Sequence, residues 1–302
     1  MIRYPVSVRS LLAGIKTQGP QDWPVRARLR TVEFHRRGRY VEDDGALKPF
    51  WSELTPLYLK LQQNKCIYCE RTLGDAVYGR VEMNVEHYRP KQRVDAWPSA
   101  YLRTHYPHLT HYNRVRGDNL PGGYWALAYH PLNLAVSCRR CNLRVKKSFF
   151  PIDASRVTSP ERNLHPYSSE LPDLFYPLST VDPDDPEACI TFRGPIAFPA
   201  VMVPVRSRER ARITIDLLHL NQRSELISER CRVICIVYAN FTLTRIQDAA
   251  QQRDGQLGLD AATADTAPHM NCARCFLRLC QEDVETARMF FFEAIKRITP
   301  PT

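Results

Sequence analysis

Two C-x-x-C pairs, Cys66-Ile67-Tyr68-Cys69 and Cys138-Arg139-Arg140-Cys141, constrain this chain more than anything else in it. Each pair presents two sulfurs on one side of a tight turn, and four thiolates in two such turns match the tetrahedral shell of structural Zn²⁺. Cys138 follows Cys69 by 69 positions, so one ion shared by the pairs would tie two distant segments together. Four thiolates close the zinc shell and leave no open position for water, which argues against a zinc hydrolase of small molecules.

Between the pairs lie Glu86-His87 and, five positions before the second pair, Asn133; Asn142 follows Cys141 directly. A free imidazole titrates near neutrality, so His87 in its neutral form is a candidate general base for phosphodiester hydrolysis. Glu86 offers hard oxygen ligands for Mg²⁺ or Mn²⁺, and Asn142 offers an amide oxygen as a second ligand, fixed in place by the knuckle before it. Adjacent side chains on a flat strand point to opposite faces, so Glu86 and His87 need a twisted or bulged hairpin, or a metal on one of them, to serve one substrate. Asn133 is expected to bridge backbone groups and support the orientation of His87. The plainer readings are a structural histidine and an ordinary turn asparagine after Pro131.

Charge points the same way. The chain carries a net charge of +10, and residues 56–152 hold 15 Lys and Arg against 6 Asp and Glu, which is nearly all of the excess. A concentrated positive field attracts phosphodiester chains, although a solvated basic face gives the same count. Arg89, Lys91, Arg93, Lys146 and Lys147 are the candidate phosphate contacts. Tyr88 and Tyr129 are expected in the core rather than against bases.

The 302 residues suffice for one large domain or two small ones. There is no apolar run of membrane-spanning length and no signal-peptide pattern at the start, so a cytoplasmic protein without a membrane partner is expected. In a reducing compartment its ten cysteines read as ligands or core thiols rather than disulfides. His269-x-x-Cys272-x-x-Cys275 with Cys280 could hold a second zinc, but the surrounding Phe276, Leu277 and Leu279 favour core packing. Cys231 and Cys235, one helical turn apart, read the same way. His105, His108 and His111 recur every third residue in a long irregular insertion, 92–123, where a polar loop is the simpler reading than a metal site.

The expected fold class is α+β, mainly α. Residues 1–55 form an N-terminal arm and lead-in helix, with Val25–Val32 as a strand or extended arm and 36–45 as a turn-rich loop. The core spans 56–152, with a small hairpin over 66–86, a buried underside at 124–136 and a helix beginning near 141. Residues 153–206 hold short strands at 189–192 and 200–203. Residues 207–302 are helical, with a flexible linker at 251–268.

Cys66-x-x-Cys69, Glu86-His87, Asn133-Leu134 and Cys138-x-x-Cys141-Asn142 together resemble the zinc-containing HNH, or ββα-metal, endonucleases. That resemblance implies a hairpin and helix around one divalent ion, with His87 as the base, Glu86 and Asn142 as metal ligands, Asn133 as the positioning asparagine and the four cysteines on structural zinc. NVEHYRPK and GYWALAYHPLNLAVSCRRCN, continued into VDPDDPEACITFRGPI and ERARITIDLLHLNQRSEL, are similar to the PtuB-like HNH subunits of Septu-type and retron-associated anti-phage systems. The resemblance covers roughly residues 50–230. It implies nucleic acid as substrate, with DNA placed ahead of RNA, and an ABC/SMC-like ATPase partner. The apolar helices of 207–297 are the expected dock for that partner. The competing reading is a non-catalytic zinc module that binds nucleic acid or a partner; it has no need of a base beside a hard-metal ligand.

Overall fold

The computed structural model describes residues 1–4, 6–41, 47–74, 82–178 and 182–299. The chain divides into two compact units. One comprises Arg3–Ile67 and Leu73–Pro183, and the other Met1–Ile2, Tyr68–Thr72 and Asp184–Thr302. Among the described residues the chain is mainly helical, with two separate two-stranded antiparallel sheets. No described helix is long and apolar enough to cross a membrane.

The first unit opens with α1 (Val8–Gln18), started by a Ser7–Ser10 capping box and buried through Leu11 and Ile15, one helical turn apart. Helix α2 (Trp23–Arg37) replaces the strand or arm expected over Val25–Val32. Its buried residues, Trp23, Ala27 and Phe34, fall at helical spacing, and Gly38 ends it in the left-handed conformation at φ 64°. The alternation of arginine with apolar residues misled because Arg26 and Arg30 are not strand-face charges. Their guanidinium groups lie over the Phe50 ring, at 4.6 and 5.2 Å. A 3-10 turn at Trp51–Leu54 leads into α3 (Thr55–Leu61), whose Pro56 sits harmlessly in the first turn.

The central sheet joins β1 (Met83–His87) to β2 (Leu134–Cys138), in register from Met83↔Cys138 to His87↔Leu134. The hairpin expected within 66–86 is therefore replaced, for its described part, by a pairing across about fifty residues of chain; residues 75–81 lie outside the described set. Part of the expected loop at 36–45 lies outside it as well. A π-helical turn, Arg140–Lys146, follows β2 where a helix was expected near 141. The 92–123 insertion contains α4 (Ala100–His105), capped by Ser99. His105 stacks on Tyr101 at 4.0 Å, and none of the three insertion histidines joins a metal-ligating group among the described residues. The 124–136 segment is largely buried, as its composition suggested.

In the second unit, α5 (Pro186–Cys189) leads into the β3–β4 hairpin (Ile190–Arg193 and Ile196–Pro199), closed by Gly194 at φ 55°. The second strand lies before the expected 200–203, where Val201 and Met202 are exposed instead. Helices α6 (Val205–Leu217), α7 (Ser224–Leu243), α8 (Ala249–Thr263), α9 (Met270–Glu282) and α10 (Val284–Ile298) complete it. Helix α8 occupies most of the expected linker. Asp248 caps it, and Gly255 lets it approach α7 so closely that a Cβ there would lie 2.7 Å from the Asn240 carbonyl oxygen. Cys231, Cys272 and Cys280 pack with Phe276, Ile234 and Val237 in one apolar cluster. Burial pushes the Cys272 and Cys280 thiols up to about 12, and neither joins a metal-ligating group among the described residues.

Candidate active site and metal centre

The thiol cluster is built by short-range geometry. Cys66, Cys69, Cys138 and Cys141 are buried, and their sulfurs all lie within 4.8 Å of one another. Zn–S bonds near 2.3 Å place tetrahedral sulfurs about 3.8 Å apart, so this set fits zinc with little adjustment. The Cys138 amide donates to Cys66 Sγ at 3.3 Å and the Cys141 amide to Cys138 Sγ at 3.4 Å. Such N–H donors favour thiolate over thiol. Gln62, fully buried, pins the lead-in to the first knuckle against β2. Its Nε2 donates to the carbonyls of Lys65 and Val136, and its Oε1 accepts from the Val136 amide. Nothing in the sequence singled out Gln62, because its partner on β2, Val136, lies 74 residues away.

At the other end of the β1–β2 pair, His87 is half-buried on β1 with the edge of Trp51 against it, ring centroids 4.9 Å apart and planes at 90°. His87 Nε2 lies 3.1 Å from the Ala128 carbonyl oxygen. A carbonyl only accepts, so Nε2 carries the hydrogen and Nδ1 is the ring's acceptor. Burial first, and then the Lys91 and Lys146 ammonium groups, hold the imidazole well below its ordinary pKa; the Ala128 bond opposes them only in part. The ring is accordingly neutral near pH 7.

Asn133, fully buried, acts on the backbone beside His87. Its Oδ1 accepts from the Arg89 amide at 2.8 Å, and its Nδ2 donates to the carbonyls of Arg89 at 3.0 Å and Leu127 at 3.1 Å. The Tyr88 amide donates to the Asn133 carbonyl at 2.9 Å, so this residue closes both edges of the turn after β1. Asn142 leaves the π-helical turn with Nδ2 donating to the Val85 carbonyl at 3.2 Å, which turns its Oδ1 the other way.

Glu86 is buried and ion-paired with the equally buried Lys146, Nζ to Oε1 at 2.6 Å. Lys146 Nζ also donates to the His87 carbonyl at 3.0 Å. Lys146 is thus spent inside the protein, which corrects its expected place at phosphate. Arg89 is corrected likewise. It is 5% exposed, paired with Glu170 at 3.3 Å and enclosed by the rings of Tyr88, Tyr124, Phe150 and Tyr167. Tyr88 and Tyr129 are core residues, stacked on Tyr176 and Phe50.

Glu86, His87 and Asn142 line a single cavity of about 1190 Å³, together with Lys91, Arg93 and Lys147. Lys147 is exposed at its mouth, and its backbone at φ 50° turns the chain out of the π-helical turn. Arg93 is exposed and paired with Asp95, while the Lys91 ammonium rests 4.7 Å from the Trp51 ring centroid. The structure thus brings together one imidazole, two oxygen-bearing side chains and three cationic side chains around one cavity.

No protein-family model matches the chain. Over 181 residues it is 29% identical to the Septu protein PtuB of Bacillus mycoides (strain KBAB4). That stretch covers 59% of this chain and 49% of the relative, so the match spans about half the length of the curated protein. The chain is therefore similar to a Septu protein, and it carries a four-cysteine cluster suited to zinc.

Proposed function

We propose that the chain is a metal-dependent endonuclease of the HNH type, working in an anti-phage defence complex of the Septu kind. The observation that carries the reading is the hydrogen bond from His87 Nε2 to the Ala128 carbonyl, which makes Nδ1 the acceptor on a neutral ring at a basic cavity. His87 Nδ1 takes a proton from water, the water oxygen forms the new bond to phosphorus, and the leaving oxygen departs and is protonated from solvent. Glu86 and Asn142 would hold a Mg²⁺ or Mn²⁺ ion, which would supply charge neutralisation at the phosphate. The donor set suits such an ion: both residues line the cavity, and the Asn142 amide is held by its nitrogen, which leaves its oxygen for a ligand. Lys91, Arg93 and Lys147 bind flanking phosphates, and Asn133 keeps the turn after His87 in place.

Zinc on Cys66, Cys69, Cys138 and Cys141 is structural in this account. The substrate is nucleic acid, DNA ahead of RNA, and an ABC/SMC-like ATPase is the partner. The exposed Met289, Phe292 and Ile295, spaced along α10, give that partner an apolar stripe to grip. Replacing Met289 and Phe292 by Asp is expected to abolish co-purification with the ATPase; unchanged co-purification would move the dock elsewhere. The test of the reaction is cleavage of plasmid DNA and of RNA by the full chain, co-purified with its genomic neighbours, with Mg²⁺ and with chelator. Cleavage that needs the metal and is lost in His87→Ala is the expected result. Equal cleavage by the two proteins would remove the assignment of His87.

A further inference from the structure

Lys146 is 1% exposed, bound to a buried carboxylate on one side and to a backbone carbonyl on the other. An ammonium is withdrawn from water in this way only where strong partners hold it. Its partners here are the Glu86 side chain and the carbonyl of the next residue, His87, so one nitrogen grips consecutive residues of β1 from the turn that also carries Asn142.

We propose that Lys146 is the positioning residue of this site: it clamps the Glu86–His87 segment of β1 to the π-helical turn, and by occupying Glu86 it keeps divalent-ion affinity low. The inference rests on the reading of Glu86 and Asn142 as the ligands of the divalent ion. Two consequences of the geometry pull in opposite directions. The clamp favours turnover, because it fixes the peptide on which both the base and a ligand ride. The charge opposes metal loading, because an ammonium at 2.6 Å from the ligand oxygen repels a second cation, and does so strongly in a poorly hydrated interior. Whatever stabilises the metal-free pairing of Glu86 weakens metal binding by the same free energy. Lysine suits both tasks, since its long flexible stem can hold the carboxylate and can also withdraw from it.

The variant Lys146→Met therefore separates the two effects. Mn²⁺ binding to the full chain is read from the electron paramagnetic resonance signal of the free ion, with zinc content and thermal melting as folding controls. Relative to wild type, Lys146→Met is expected to bind Mn²⁺ at least about tenfold more tightly, within the usual span of coupling between sites. In the cleavage assay its kcat is expected to fall while KM for nucleic acid stays close to wild type. Lys146→Gln, which keeps a donor for the His87 carbonyl but no charge, should show the tighter Mn²⁺ binding with a smaller loss of kcat. A residue that merely props up the fold would lower the melting temperature of both variants without tightening Mn²⁺. Binding equal to or weaker than wild type in both variants overturns the proposal, and so does failure of both to fold. A separate result strikes the underlying reading: Glu86→Gln binding Mn²⁺ as tightly as wild type would remove Glu86 as a ligand, whatever Lys146→Met does.

Discussion

The two ends of the β1–β2 pair differ in almost every physical respect. At the Met83↔Cys138 end stand four buried sulfurs within 4.8 Å of one another, with backbone N–H groups donating to Cys66 and Cys138. That set is complete in itself and fits a closed tetrahedral shell. At the His87↔Leu134 end the groups are of mixed type, and Glu86, His87 and Asn142 line an open cavity of about 1190 Å³. Their positions depend on partners elsewhere in the fold, namely the Ala128 carbonyl, Asn133 and Lys146. A sheet of five residues per strand is too small to fix these side chains unaided. The lesson is a division of labour, in which the closed end sets the register and the open end is left polar and accessible.

The comparison breaks most severely if the closed end can be opened harmlessly. Cys138→Ser is expected to lose bound zinc and cooperative melting together, because structural zinc binding is folding free energy. A Cys138→Ser protein that melts like wild type would show that the cluster does not hold the register. Next comes Asn133→Ala, which leaves two carbonyls and one amide in the interior without their side-chain partner. A loss of about 2–4 kcal/mol is expected from chemical denaturation, with zinc content unchanged. Zinc loss in this variant would mean that the two ends are not separable. The smallest effect belongs to the rim. Lys147→Ala and Arg93→Ala, both exposed, should raise KM for nucleic acid a few-fold and flatten its salt dependence, leaving zinc and melting unaltered. Insensitivity of KM to both would place the phosphate path elsewhere.

The legibility of the two ends differs in the same sense. The cysteine cluster could be read from spacing because a C-x-x-C turn is local and its chemistry is carried by residue type alone. Glu86, His87 and Asn142 could be named as candidates, but the imidazole tautomer could not, since it depends on a carbonyl 41 residues away. Lys146 and Arg89 look like phosphate contacts in a basic stretch. Only the fold reveals that one is the counter-ion of Glu86 and the other sits among four aromatic rings beside Glu170. Helices α2 and α8 were hidden for related reasons. In α2 the arginines that break the apolar pattern stack on Phe50, and in α8 a polar, glycine-containing sequence is held by an Asp cap and close packing on α7. The β1–β2 pairing was hidden because a strand of five residues carries no record of a partner so far along the chain.

The most direct test of the division between the two ends is a paired measurement on His87→Ala: the zinc-to-protein ratio, and Mg²⁺-dependent cleavage by the complex. The account predicts an unchanged zinc ratio with cleavage reduced by roughly 10²–10⁴-fold, the usual worth of a general base. Cleavage at the wild-type rate, or loss of zinc along with cleavage, would contradict it.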